Sequence, residues 1–391
     1  MEILPAKELV IRAGKELTEE GLIVRTWGNI SCRTDGNASF AITPSGRPYD
    51  ALTPEQIVLC KTEDASYEGN IKPSSEKGIH ALVYRLHPEA NFVIHTHQLL
   101  ASVIGAAGIP DLPVPEGYNL LGSSVPVASY GLPGTKKLRE GVEKAMRGSN
   151  SHAVIMAHHG ALCYGQSYEE AFSAAKQLEK ACGDFIALNY KEKSGRNDFS
   201  KENLYFYYGT KVAPNREMPA KPQMFYSSRR LPDGFRIEER NETFRFDSEN
   251  MPDYAKMHSA VYLARKDINF IEQETEYGLL ALSAVGESLR PLLDDFAQIV
   301  GSSARCAGQA QPKDVVHAVR GRLGVLVPGA GALCGAATAS DANAVRLVMG
   351  KNALTQIGTS LFGGGHSLSA FDCGLMHLVY TQSYSKQAKQ N

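Results

Sequence analysis

One stretch of this chain is written twice. Residues 153–163 read AVIMAHHGALC, and residues 324–334 read GVLVPGAGALC. Two further pairs fall in step with them. His80-Ala-Leu-Val-Tyr84 matches His258-Ser-Ala-Val-Tyr262, and Ala90-Asn91-Phe92 matches Ile268-Asn269-Phe270, both 178 positions apart. Gly160 and Gly331 are 171 apart, which leaves the second half seven residues shorter between Phe270 and Gly331. Two anchors at one spacing and a long block at another favour duplication over chance likeness between unrelated strands. A chain of 391 residues is long for one domain and comfortable for two. The expected division is residues 1–190, a polar, irregular linker at 191–221 rich in Lys, Asn, Pro and Tyr, and residues 222–391.

The two copies are not chemically equivalent. The first holds Glu76, His95, His97 and His159; at the same spacings the second holds Tyr254, Gln273, Thr275 and Ala330. No counterpart of Gly28-Asn29 is legible. The expectation is a working domain joined to a degenerate copy that serves as scaffold or interface.

Composition removes other classes. The net charge is −1 with a pI near 6.8, so nothing suggests nucleic acid or a membrane surface as partner. No apolar run reaches the roughly 18 residues of a spanning helix, and the charged N-terminus carries no signal-peptide pattern. Seven cysteines without a Cys-x-x-Cys pair argue against a disulfide framework. A soluble cytoplasmic enzyme is expected.

Periodicity sketches the first half. Leu9, Val10, Ala13, Leu17 and Leu22 predict a helix over about residues 6–21. Residues 26–33 and 39–46, bounded by Gly and Ser, predict short strands, with a third at 57–60 after a capped turn at 52–55. Ser74-Ser75-Glu76 predicts a helix N-terminus with Ser as the cap, then Ile79, Leu82, Val83 and Leu86 on one face. Residues 91–97 read as a buried strand, and Ser167-Tyr168-Glu169-Glu170 opens a long helix.

In His95-x-His97 on a strand, alternate side chains share a face. Both imidazoles can then reach one ion, at about 2.0–2.1 Å if it is zinc. His159, at a strand-to-loop junction, completes a three-histidine site with an open position, and Glu76 serves as ligand or acid/base. The same donor set also accommodates Mn, Fe or Co. His158 is read as packed or supporting. Gly28-Asn29, Thr43-Pro44-Ser45-Gly46 and Ser74-Ser75 offer N–H groups, hydroxyls and an amide in tight turns. The last pair stands at a helix N-terminus that favours an anion such as phosphate.

These pieces carry a resemblance. Gly28-Asn29-Ile30-Ser31, Ile42-Thr43-Pro44-Ser45-Gly46, Lys72-Pro73-Ser74-Ser75-Glu76, Val93-Ile94-His95-Thr96-His97, Val127-Ala128-Ser129-Tyr130-Gly131 with Pro133-Gly134-Thr135, and His158-His159-Gly160-Ala161-Leu162 stand in one order over residues 6–184. The segment resembles the class II aldolase and adducin-head family, which includes L-fuculose-1-phosphate aldolase and the ribulose-5-phosphate 4-epimerases. The resemblance implies α/β/α layers around a mostly antiparallel sheet, here duplicated. It implies zinc on His95, His97 and His159, and substrate phosphate at Gly28, Asn29, Thr43, Ser45, Gly46, Ser74 and Ser75, with the contact shared between Ser45 and Gly46 left open.

Glu rather than Asp at position 76 favours an aldolase over a pentulose-5-phosphate 4-epimerase or another zinc lyase. The implied reaction cleaves a ketose 1-phosphate to dihydroxyacetone phosphate and an aldehyde through a zinc-stabilised enediolate, with Glu76 handling the proton at C3. Family aldolases also take an acid tyrosine from a neighbouring subunit. Tyr118 is the candidate, although it aligns only across a gap of about three residues. A homo-oligomer is expected. The non-catalytic adducin-like role, an assembly module, suits the second half and not the first, which keeps all four candidate ligands.

Overall fold

This computed structural model describes residues 1–23, 27–34, 36, 38–220, 226–239, 242–245 and 251–387. Thr26 and Lys221, which sequence reasoning placed in a strand and in the linker, lie outside them. The chain divides into two compact units, residues 1–188 and 189–391.

In the first unit, helix α1 (Ile3–Glu19) buries Ala6, Val10, Ala13 and Leu17 along one stripe, as its period predicts. The strands are β1 (Asn29–Arg33), β2 (Ser39–Ile42), β3 (Val58–Lys61), β4 (Phe92–Thr96), β5 (Asp111–Pro113), β6 (Ser124–Ala128), β7 (Ala153–Met156) and β8 (Gly160–Gly165). They form one sheet in the order β3-β2-β1-β4-β8-β7-β6-β5. Every pair is antiparallel except β6 with β7. Alternate strand residues face opposite sides. Phe40, Ile42, Val93, Val154, Met156 and Leu162 pack on helices α2 (Lys77–Leu86) and α4 (Lys136–Met146). On the other face α1 lies on β1 and β2, and α3 (Leu99–Ala106) lies on β7 and β8. Helix α5 (Tyr168–Ser194) follows. The layers are therefore α/β/α, with β4 at the sheet centre.

Two local expectations are corrected. Helix α2 starts at Lys77, and its N-cap position is Glu76, whose side chain makes no cap bond. The Ser74 hydroxyl instead accepts from the Glu76 N–H at 3.2 Å, one step before the helix, because the Glu76 carboxylate turns inward. The stretch at 191–221 is also not irregular throughout. Helix α5 reaches Ser194, and a new helix α6 (Lys201–Val212) follows. Ser200 caps it by accepting from the Asn203 N–H at 3.0 Å, and Leu204, Tyr205 and Tyr208 are buried. The run at 204–208, whose apolar and aromatic residues mark it as packing despite its place in the expected linker, does pack, as part of this helix.

The second unit has strands β9 (Tyr226–Leu231), β10 (Gly234–Glu239), β11 (Glu242–Arg245), β12 (Phe270–Glu274), β13 (Arg305–Cys306), β14 (Gly324–Val327) and β15 (Gly331–Ala336). Their order is β11-β10-β9-β12-β15-β14-β13, which is the first sheet's order without β5, and β13–β14 is parallel as β6–β7 is. Helix α7 (Asp253–Ala264) stands where α2 does, between the third and fourth strands of its sheet in chain order. It is followed by α8 (Tyr277–Val285), α9 (Asp294–Ile299), α10 (Pro312–Val319), α11 (Ala339–Thr359) and α12 (Ala370–Gln387). Register agrees as well: His95 pairs with Leu162, and Gln273 pairs with Leu333.

Likeness extends to an arginine that clamps backbone carbonyls in each unit. Arg33 Nε donates to the Ala90 carbonyl at 2.8 Å and its Nη2 to the Tyr84 carbonyl at 2.8 Å. Arg230 makes the equivalent bonds to Ile268 at 3.1 Å and Tyr262 at 2.7 Å.

Candidate metal centre

Three chain segments converge beside the C-terminal end of β4. His95 is on the strand and fully buried, and His97 follows one residue past its end. His159 lies in the tight turn between β7 and β8, where His158 takes a left-handed conformation with φ 63°. Gly160 lets that turn close. A Cβ there would stand 2.2 Å from the Thr96 carbonyl oxygen, so β8 could not reach β4 with any side chain at this position. His158 turns away from the cluster and meets the Tyr130 ring edge-on, so it is packed.

The Nε2 atoms of His95 and His97 are 3.0 Å apart, and the nearest ligand atoms of His95, His97 and His159 all lie within 4.8 Å of one another. Among the described residues this is the one group that could hold a metal ion. His95 Nδ1 is 2.9 Å from the Ala161 carbonyl and donates to it, which leaves the Nε2 lone pair for the centre. Burial holds the His95 imidazole well below its usual range, against the pull of Glu76, and so in the neutral form a metal requires.

Glu76 closes the cluster. Its carboxylate lies 2.8 Å from His159 Nε2 and 3.1 Å from His95 Nε2. Burial works to raise its pKa, but His95, His159 and a hydrogen bond from Asn29 outweigh that and hold it well below the usual carboxylate range. Three imidazoles with one carboxylate, on three segments, fit zinc or another divalent transition ion.

The phosphate candidates gather on one side of Glu76. The segments at 43–46 and 72–75 run side by side: Ser74 N–H donates to the Thr43 carbonyl at 3.0 Å, and Ser45 N–H to the Lys72 carbonyl at 2.9 Å. Thr43 hydroxyl accepts from the Ile30 N–H at 3.2 Å, which ties the pair to β1 beside Gly28 and Asn29. Ser45, Gly46 and Ser75 are exposed, whereas Asn29, Thr43 and Ser74 are buried. Gly28 sits at φ 110°, and a Cβ there would stand 2.6 Å from the His95 carbonyl oxygen.

Tyr118 is not brought into this cluster. Its hydroxyl donates to Asp184 and accepts from Lys180 Nζ at 3.0 Å, both on α5.

Sequence reasoning missed His80, Ser31 and Tyr84. The Asn29 amide donates to Glu76 Oε2 at 2.9 Å, and its Oδ1 lies 2.5 Å from His80 Nε2. His80 Nδ1 is 2.7 Å from Ser31 Oγ, which is 2.7 Å from Tyr84 Oη. Burial pushes His80 down to about 3, so the ring is neutral. The signal was present as the His-x-x-x-Tyr pair shared by α2 and α7.

The four candidate ligand positions of the second unit are different in kind. Tyr226 and Tyr254, where Asn29 and Glu76 stand in the first unit, stack with ring centroids 3.9 Å apart. Gln273 donates to the Ala330 carbonyl at 3.2 Å.

The family model described as Class II Aldolase and Adducin N-terminal domain matches residues 8–185. A 5-deoxy-D-ribulose 1-phosphate aldolase from Bacillus thuringiensis is 32% identical over 173 residues, 44% of this chain and 80% of that protein. A 5-methylthioribulose-1-phosphate/5-deoxyribulose-1-phosphate aldolase from Escherichia coli is 34% identical over 190 residues, 48% of this chain and 85% of that one. Among solved structures, an L-fuculose 1-phosphate aldolase matches 50% of this chain and 90% of its own, at 30% identity and a TM-score of 0.45. With relatives above 30% identity spanned over most of their length, this chain belongs to the class II aldolase and adducin N-terminal domain family, and within it to the lyases.

Proposed function

We propose that the first unit is a divalent-metal-dependent aldolase that cleaves a ketose 1-phosphate to dihydroxyacetone phosphate and an aldehyde, with zinc as the ion. The observation that carries this reading is one buried carboxylate, Glu76, within 2.8–3.1 Å of two of three converging imidazole nitrogens. His95, His97 and His159 would hold the ion, and Glu76 is either a further ligand or the acid/base. Once bound, the ion supplies Lewis-acid stabilisation of the negative charge that develops on the dihydroxyacetone phosphate fragment.

The residues do the rest. As the C3–C4 bond breaks, its electron pair stays on C3 and the C4 hydroxyl proton passes to the group facing the aldehyde oxygen, which returns it as an acid in the reverse direction. Glu76, once it has taken up a proton, delivers it to C3; in the reverse direction it removes that proton. Ser45, Gly46 and Ser75 are the exposed members of the phosphate group and orient the 1-phosphate. Gly28, Asn29, Thr43 and Ser74 shape that pocket from behind. The 4-epimerase reading would call for Asp where Glu76 stands. Tyr118 is proposed as the acid at the aldehyde oxygen of a site on a neighbouring copy, since in its own unit it is bonded to Asp184 and Lys180. The second unit, with stacked tyrosines in place of Asn29 and Glu76, is proposed as a degenerate copy without metal.

The test is metal analysis of the purified chain, then incubation of the metal-loaded protein with 5-deoxyribulose 1-phosphate, 5-methylthioribulose 1-phosphate and L-fuculose 1-phosphate. Release of dihydroxyacetone phosphate from one of them is expected. No release from these or other ketose 1-phosphates, with metal bound, would overturn the reading.

A further inference from the structure

Five groups in the first unit form one directed hydrogen-bond chain, and it ends on the proposed acid/base. The Asn29 NH₂ donates to Glu76 Oε2 at 2.9 Å, which leaves Oδ1 at the other end of the amide. Asn29 Oδ1 then faces His80 Nε2 at 2.5 Å and can only accept, so the proton of the neutral ring is on Nε2. His80 Nδ1 is left as acceptor, so Ser31 Oγ donates to it at 2.7 Å; that hydroxyl in turn accepts from Tyr84 Oη at 2.7 Å. Every member is buried, so no solvent exchange relaxes the order.

The second unit supplies a comparison inside the same molecule. Ser228 Oγ lies 2.7 Å from His258 Nδ1 and 2.8 Å from Tyr262 Oη, the same triad at the same place. There the Asn29 position is Tyr226 and the Glu76 position is Tyr254. His258 Nε2, fully buried, has no hydrogen-bond partner among the described residues. The Tyr–Ser–His part is thus common to both units and belongs to the fold. What distinguishes the first unit is the use of the outward ring nitrogen.

We infer that His80 is a positioning residue: held in one tautomer by Ser31 and Tyr84, it fixes the orientation of the Asn29 amide and through it the Glu76 carboxylate. The inference rests on the proposed role of Glu76. If the His80 donor is lost, Asn29 Oδ1 loses its buried partner, the amide is no longer anchored on that side, and the Glu76 carboxylate it holds can shift.

The experiment uses the full chain with His80→Leu, His80→Gln and His258→Leu. His80→Leu removes the donor. His80→Gln keeps an N–H near the Nε2 position. His258→Leu deletes the same buried ring from a unit without the proposed chemistry, and so reports what the change costs the fold. The expected result is a kcat for ketose 1-phosphate cleavage about 10- to 100-fold lower in His80→Leu, with KM within roughly twofold. His80→Gln should recover most of that loss, and His258→Leu should keep the wild-type kcat while its unfolding midpoint falls. Equal effects of His80→Leu and His258→Leu on kcat would overturn the inference.

Nitrogen NMR of the histidine rings is a readout independent of activity. His80 should be neutral with its proton on Nε2, with the spectrum assigned by its loss in His80→Gln. A proton on Nδ1 would overturn the hydrogen-bond chain. A wild-type chain that binds metal and cleaves no ketose 1-phosphate would overturn the proposed function, and the NMR result would then still decide the chain.

Discussion

At the scale of single residues, Glu76 is where burial and charge compete. A carboxylate this enclosed would be expected to protonate, yet His159 and the Asn29 amide lie within hydrogen-bonding distance and favour its ionised form. If Glu76 handles the proton at C3, Glu76→Gln keeps the volume and loses the basic site. The rate at which solvent deuterium enters C3 of dihydroxyacetone phosphate should fall at least about 100-fold, measured by proton NMR. A wild-type rate would assign the base elsewhere. The three histidines are tested by metal content. His95→Ala, His97→Ala and His159→Ala should each purify with little metal, whereas His317→Ala should match the wild type by atomic absorption. The four candidate ligands were legible in the sequence because each sits in a short motif with its own chemistry, and because their counterparts are all lost together. His80 was not. On an apolar helix face one histidine reads as a satisfied core residue, and nothing local says that its outward nitrogen reaches Asn29, 51 positions earlier.

At the scale of elements, the site depends on how closely β8 approaches β4. Gly160 is the contact point: a Cβ there meets a backbone carbonyl at 2.2 Å, which no rotamer change can relieve. Gly160→Ala should therefore destabilise the first unit by about 1–3 kcal/mol and weaken metal binding with it, because His159 is the preceding residue. Urea unfolding and a metal titration on the same variant check both. A variant of wild-type stability and affinity would show that the turn has slack. Strands β1 to β4 and helices α1, α2 and α5 of this unit were legible from period and punctuation, whereas α3, β5, β6 and α4 were not read. The helix start near Ser74 was not read to the residue, since Ser, Ser and Glu are all acceptable near an N-terminus and only the inward turn of Glu76 decides among them. The stretch after α5 misled for a different reason. Its polar residues lie on exposed positions of α6, and the buried Leu204, Tyr205 and Tyr208 are too few to show a clear period.

At the scale of the whole molecule, a unit that keeps the sheet order, the Tyr–Ser–His triad and the arginine clamp has kept what folding needs. Its four ligand positions have changed to residues that pack or bond locally, as the Tyr226–Tyr254 stack does. A second unit that keeps its folding contacts without the candidate ligands fits the proposed role of scaffold or interface. Tyr118 bears on it. Its hydroxyl lies under Lys180 and Asp184, whose side chains are 72% and 52% exposed, so a neighbouring copy could reach it where its own site does not. Tyr118→Phe should lower turnover by about 100-fold or more, and His159→Ala should abolish it. The two variants, co-expressed with different tags and isolated as the mixed oligomer, should recover activity that neither has alone. In that oligomer, an intact metal site of one chain can meet an intact Tyr118 of the other. A mixed oligomer no more active than its parents would place the acid elsewhere. The proposed assembly would then have to be argued from the mass of the full chain in solution alone.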